Sequence, residues 1–388
     1  MQNRSFILGI FTGVCGAAIS LVLIQSVGMG TTRWTVGKKM DHIASLLEEN
    51  YVEEVNETAM ADGAFWGMTA SLGDPYTTYF TADEMQSFLT DLEGSFCGVG
   101  VTVIYDEDAQ CLRIVSVMDG YPAKEAGLQA GDYIIAVDGE DVRGQDGNTV
   151  AAKIQGKEGT EVTLQTLRGQ QQQTYTLTRQ EVQVQSVYGQ MRPDGLAYIA
   201  ITSFNSNTYD QFSSTLTQLR AQNPLGLILD LRDNTGGILD VANEIADDLM
   251  GEGVIVYTVD KAGNRVDYTS DADALGLPLA VLVNGQSASA SEVLSGAIQA
   301  HGDGILVGTQ TFGKGLVQKT FGLEDGSALK ITVEKYYTPN DVCIQGVGLT
   351  PDEVVELPEG KISPALLSEG EEDTQLERAA SLLLEDAG

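Results

Sequence analysis

Residues 279–300, LAVLVNGQSASASEVLSGAIQA, leave few choices of local structure. A continuous apolar run stops at Asn284-Gly285, passes through alternating Ser and Ala, and resumes with helical spacing. Such a pattern reads as a buried strand that turns tightly into a helix. The turn lifts Ser287, Ser289 and Ser291 onto a helix N-terminus, where unpaired backbone N–H groups can meet an anion. Shortly after comes GTQTFGKGLVQ, with a single lysine, Lys314, between two glycines. A serine hydroxyl is a weak nucleophile until a base takes its proton, and a neutral lysine can be that base.

Other hydrolytic routes are poorly supplied. The chain holds no G-x-S-x-G and no H-E-x-x-H, and its two histidines are His42 and His301. His42 sits in a helical N-terminal segment, and His301 sits where a helix ends, the ordinary place for a C-terminal cap. Ser289-Ala290-Ser291-Glu292 also spells a capping box, which needs no chemistry. For Lys314 to act as a base, burial must lower its pKa from about 10.4. Phe312, Leu316 and Val317 offer apolar surroundings, and Gln318 offers a neutral hydrogen-bonding group. A second glycine-rich turn before a helix, at Gly236-Gly237, could add a backbone donor to an oxyanion hole.

The 388 residues have room for two or three domains. Acidic residues outnumber basic ones 55 to 22, a formal charge of −33. That surface argues against nucleic-acid partners and anionic headgroups. Phe6–Ile24 is uncharged and long enough to span a bilayer, so residues 1–5 are expected as a cytoplasmic stub and 6–28 as a signal peptide or single membrane anchor. The rest is then extracytoplasmic. Cys97, Cys111 and Cys343 fit neither a disulfide framework nor a zinc site, and free thiols are expected over a Cys97–Cys111 bridge. No metal or cofactor is implied.

Residues 35–92 read as mostly helical. From Gly94 the texture becomes short strands and glycine turns, and residues 93–180 resemble a PDZ domain. Gly98-Val99-Gly100-Val101 matches that family's glycine loop, and PAKEAGLQAGDYIIAVDG its most recognisable run. Amides beside glycines form an anion-binding nest, and an adjacent strand edge can pair with an extended peptide. Residues 181–360 alternate strands and helices, which argues an α/β layer with a largely parallel sheet. Residues 361–388 carry an acidic run and an amphipathic docking or dimerising helix.

LGDPYTTYF at 72–80, LILDLRDNTGG, VLVNGQSASASE, TFGKGLVQ, LKITVEKYYTP and IQGVGLTPD stand in the order of the carboxyl-terminal processing peptidases, the tail-specific serine protease family, which this chain resembles. The resemblance implies an α/β serine peptidase core with an inserted PDZ domain and helical segments at both ends, a multidomain mixture of α+β and α/β. It implies Ser289 as nucleophile, Lys314 as general base and Gln318 as the residue orienting that lysine. Oxyanion donors fall on Ala290 and on Gly236 or Gly237, and peptide contacts on Gly98, Val99, Gly100 and Val101. Partners would be proteins with apolar C-termini, and a homodimer is expected. The rival reading is a PDZ adaptor that binds tails and cuts nothing.

Overall fold

The computed structural model describes residues 35–368 and 370–386. The expected signal peptide or anchor at 6–28 lies outside them. No helix among the described residues is long and apolar enough to cross a membrane. The chain divides into two units at Met68/Thr69.

In the first unit, helix Val36–Asn50 opens on Thr35, whose hydroxyl accepts the Lys38 amide. Its apolar residues Val36, Ile43, Leu46 and Leu47 are all exposed. Helix Glu57–Ala70 begins in this unit and ends two residues past its boundary.

The second unit is built on a six-stranded sheet ordered 187–191, 197–201, 227–230, 279–283, 305–308 and 353–354. All neighbours are parallel except the first pair. The inner strands are apolar on both faces because both faces are covered. Helices Thr208–Arg220, Leu239–Leu249 and Ala290–His301 cover one face, packing on Ile199, Leu229, Val281 and Val283. Helix Thr374–Asp386 covers the other with Ala379, Ala380 and Leu383, against Ile228, Ala280 and Leu282. The C-terminal amphipathic segment therefore docks on its own sheet.

That docking is fixed by charge. Arg232, 7% exposed, forks onto Asp230 at the end of its strand and onto Asp373 just before the C-terminal helix, with 2.9 Å contacts to both Asp373 oxygens. Burial works against the guanidinium charge, yet the two carboxylates outweigh it and hold the group above its ordinary pKa.

A second, antiparallel sheet has Ala328–Tyr337 at its centre. It pairs with Thr78–Phe80, with Gly253–Asp260 and with Leu316–Gly322. Thr78–Phe80 falls within the stretch whose sequence reads as mostly helical. Its strand character comes from long-range pairing that periodicity cannot report.

Residues 101–178 form a separate sheet of six antiparallel strands with helix Gly147–Ile154 against it, around Ile114, Ile134, Val150, Val162 and Leu164. The chain enters and leaves this body through one ribbon, Ser95–Gly98 paired antiparallel with Gln180–Gln183. Cys97, Cys111 and Cys343 are free thiols.

Candidate active site

The parallel strands 227–230 and 279–283 both run into turns at their carboxyl ends, where open α/β sheets form crevices. The second of these turns carries the three serines. Ser287 is buried and its hydroxyl donates to the Leu231 carbonyl at 2.8 Å. Ser291, also buried, donates to the Asn234 carbonyl at 2.8 Å. These two hydroxyls bind the serine turn to the Asn234 turn and are spent on structure. Ser289 differs. It is half-buried, lines a cleft of about 310 Å³, and has φ 57° and ψ −115°. A non-glycine residue there carries strain of about 1–3 kcal/mol. The capping box expected from Ser289 and Glu292 takes a particular form: the Glu292 carboxylate accepts the Ser289 amide at 2.9 Å, while the Glu292 amide donates to the Ser289 carbonyl at 2.8 Å.

Glu292 does more than cap. It is fully buried, and its other partners all come from the lysine turn. Oε1 accepts from the Thr311 hydroxyl at 2.6 Å and the Gly313 amide at 2.8 Å, and Oε2 accepts the Lys314 amide at 2.8 Å. One carboxylate thus ties the serine turn to the lysine turn. Tyr336, buried on the second sheet, adds a strut, its hydroxyl donating to the carbonyls of Ser289 and Lys314. Burial, foremost, pushes its phenol well above the usual range, so it stays a donor.

The glycines beside Lys314 are there for space. A Cβ on Gly313, whose φ is +89°, would stand 2.8 Å from the Gly348 nitrogen, and one on Gly315 2.7 Å from that of Gln345. The segment Gln345–Gly348 presses on the lysine turn from outside, with the Gly346 amide donating to the Gly313 carbonyl. Lys314 itself is half-buried and lines the same cleft as Ser289. Burial, chiefly, and then the charge of Lys330 lower its pKa, against the opposing pull of Glu292 and Asp74. Its ammonium lies 5.1 Å from the centre of the Tyr76 ring.

Tyr76 belongs to LGDPYTTYF. Asp74 accepts the Tyr76 amide and the Thr77 hydroxyl, and the Thr77 hydroxyl accepts the Thr332 amide at 3.0 Å. Gln318 lines the cleft, and its side-chain amide donates to the Thr332 hydroxyl at 3.3 Å. A register shift between Val317 and Gln318 sets where this residue faces.

The Gly236-Gly237 turn lies against the serine turn. A Cβ on Gly236, at φ +104°, would be 2.9 Å from the Ser289 Cβ and 3.0 Å from the Ala290 nitrogen. The Gly236 amide is engaged by the Asn234 side chain at 2.9 Å. Among the described residues the Gly237 and Ala290 amides have no such partner, and both residues line the cleft. Its walls are otherwise mainly apolar, with Ile238, Leu239, Val293 and Leu316. His301 is outside this assembly, an exposed residue whose ring meets the Val254 carbonyl.

Of the residues expected from sequence, Ser289, Lys314, Gln318, Gly237 and Ala290 line one cleft, with Gly236 packed behind it. Gly98, Val99, Gly100 and Val101 line a separate groove of about 70 Å³ with Val103 and Ile154, between a strand and the helix Gly147–Ile154. Among the described residues the Val99 and Gly100 amides have no hydrogen-bond partner. Tyr336, Tyr76 and Lys330 were not singled out from sequence, and Glu292 was read there only as the capping partner of Ser289.

The profile of peptidase family S41 matches residues 195–355, that of the PDZ domain residues 113–168, and that of the N-terminal domain of the activating protease CtpB residues 25–84. A carboxyl-terminal-processing protease of Synechocystis is 38% identical over 326 residues, spanning 81% of this chain and 75% of that protein. The carboxy-terminal processing protease CtpA of Bacillus subtilis is 32% identical over 366 residues, spanning 92% and 78%. A solved S41 protease structure from Bacteroides fragilis shares the fold with a TM-score of 0.50 at 18% identity, covering 89% of this chain and 97% of that one.

Proposed function

This chain belongs to peptidase family S41, the serine-type carboxyl-terminal processing proteases, and we propose that it cuts exported polypeptides with a Ser289–Lys314 dyad. The observation that carries this reading is the sharing of one cleft by a strained Ser289, a half-buried Lys314 and the open amides of Gly237 and Ala290. Neutral Lys314 takes the hydroxyl proton as Ser289 Oγ attacks the peptide carbonyl. The negative oxygen is received by the Ala290 and Gly237 amides; Gly237 is favoured over Gly236 because the Gly236 amide is already engaged. Lys314 then gives its proton to the leaving amine, and water repeats the sequence on the acyl-enzyme. Gln318 and Tyr76 hold the lysine in place.

The PDZ domain captures a substrate's apolar C-terminal tail at Gly98–Val101 and delivers the chain to the cleft. Helix Val36–Asn50, with its exposed apolar residues, pairs with that of a second copy to form a dimer. The segment 6–28 directs the chain out of the cytoplasm.

The test compares the chain from residue 35 with its Ser289→Ala and Lys314→Ala variants on an unstructured protein ending in apolar residues. The parent is expected to cut, and both variants to bind without cutting. Binding without cleavage by the parent, even with tail peptides added, supports a PDZ adaptor instead. Cleavage that survives Ser289→Ala moves the nucleophile elsewhere.

A further inference from the structure

Lys330 is a second cation in the cleft, and beyond its field on Lys314 the reaction steps give it no part. It lies on strand Ala328–Tyr337, paired with Thr78 on one side and Thr320 on the other, and it lines the same cleft as Ser289 and Lys314. Its Nζ is 5.1 Å from the centre of the Phe80 ring and 5.0 Å from that of Phe88, two rings stacked 5.2 Å apart. No carboxylate of the described residues lies within ion-pairing distance of it, in a chain with 55 acidic side chains against 22 basic ones. Half-buried cations are ordinarily paired, because losing water costs charge solvation that aromatic faces only partly return. Here the aromatic pair holds the side chain in place while the cleft side stays open. Phe88 also lines the cleft, so the ammonium and its holder face the space a substrate would fill.

We propose that Lys330 is a specificity residue that pairs with a carboxylate of the bound polypeptide, close to the scissile bond. This rests on the reading of Ser289 and Lys314 as the hydrolytic dyad. The carboxylate is either the chain's own terminus or an Asp or Glu side chain. Either would complete an ion pair in a partly desolvated site, where removing one partner typically costs tenfold or more in binding.

The experiment uses the chain from residue 35 and short peptides matched in pairs. One pair ends in a free carboxylate or an amide; the others carry Glu or Gln at successive positions around the cut. The parent should favour the charged member of one pair by roughly tenfold in kcat/KM, mainly through KM. Lys330→Gln should bring that ratio close to one, and Lys330→Arg should retain most of it. The pair that responds identifies the source of the carboxylate. A ratio unchanged in Lys330→Gln overturns the proposal, since the preference would then belong to the PDZ groove. A pH–rate limb displaced equally for both members, with the ratio intact, also overturns it and assigns Lys330 to tuning Lys314. Should the parent cut nothing, the failure falls on the dyad. Binding of the paired peptides to Ser289→Ala, with and without Lys330→Gln, then decides the proposal alone.

Discussion

The carboxylate of Glu292 accepts the backbone amide of Lys314 at 2.8 Å. Because the same oxygen accepts the Ser289 amide, the nucleophile and base turns share one anchor. Replacing it by glutamine puts an amide NH₂ where backbone donors converge. Glu292→Gln should lower unfolding free energy by about 1–3 kcal/mol, the cost of a buried donor left unpaired. It should also reduce kcat by more than tenfold through lost alignment. Urea unfolding and single-turnover rates on one preparation measure both.

The three serines of the turn make an internal comparison. Ser289→Ala should cost on the order of 10⁶-fold in kcat with unchanged or slightly altered stability. Ser287→Ala and Ser291→Ala each remove a buried hydroxyl that donates to a carbonyl and should destabilise by about 1 kcal/mol. Their activity loss should be far smaller. Equal losses from all three would contradict the assignment.

Lys314 must be neutral to accept a proton, and its pKa is lowered by burial and by Lys330. The sign follows: activity is lost as pH falls through the lowered value and is regained above it. The basic-side plateau of kcat/KM should therefore begin below the ordinary lysine range of about 10.4. A limb at or above that range would contradict a buried base. Lys314→Arg, which keeps the charge but cannot lose its proton, should be inactive at every pH.

Gly236→Ala tests the contact between the two turns. The added methyl would meet the Ser289 Cβ at 2.9 Å and the Ala288 carbonyl at 2.8 Å, in a backbone conformation that L-residues avoid. Activity should fall by at least a hundredfold, with stability reduced by about 1–3 kcal/mol. Acylation rate with an activated ester and thermal unfolding separate the two effects.

Arg232→Ala should release the C-terminal helix. Removing the guanidinium leaves Asp230 and Asp373 facing each other with their shared cation gone, a loss of about 3–5 kcal/mol. Limited proteolysis should cut within residues 370–386 in the variant before it does so in the parent.

The parts of the site written in local chemistry were legible. Alternating small residues after a strand mark the serine turn, and Gly-Lys-Gly marks a lysine with backbone pressed against it. The parallel sheet was legible too, from the alternation of strands and helices. The second sheet was not, because pairing of Ala328–Tyr337 with segments as distant as Thr78–Phe80 leaves no mark in either segment. Consequently Lys330 and Tyr336, which line the cleft from that sheet, and Tyr76, which stands beside Lys314, had no local signal of a part in the site, although LKITVEKYYTP and LGDPYTTYF contain them. Asp373 looked like part of a solvated acidic run, yet it closes a buried ion pair from 141 residues away. Glu292 read as a helix cap because its partners in the lysine turn lie beyond any local pattern.

The backbone of Ser289 sets a direction for mutational drift. At φ 57° and ψ −115° glycine would sit more comfortably than serine. Among descendants of this chain no longer needed for hydrolysis, random substitution should therefore settle on glycine at 289 sooner than at Ser287 or Ser291, whose hydroxyls still hold the turn together. Serine at that position is one that folding alone would not retain.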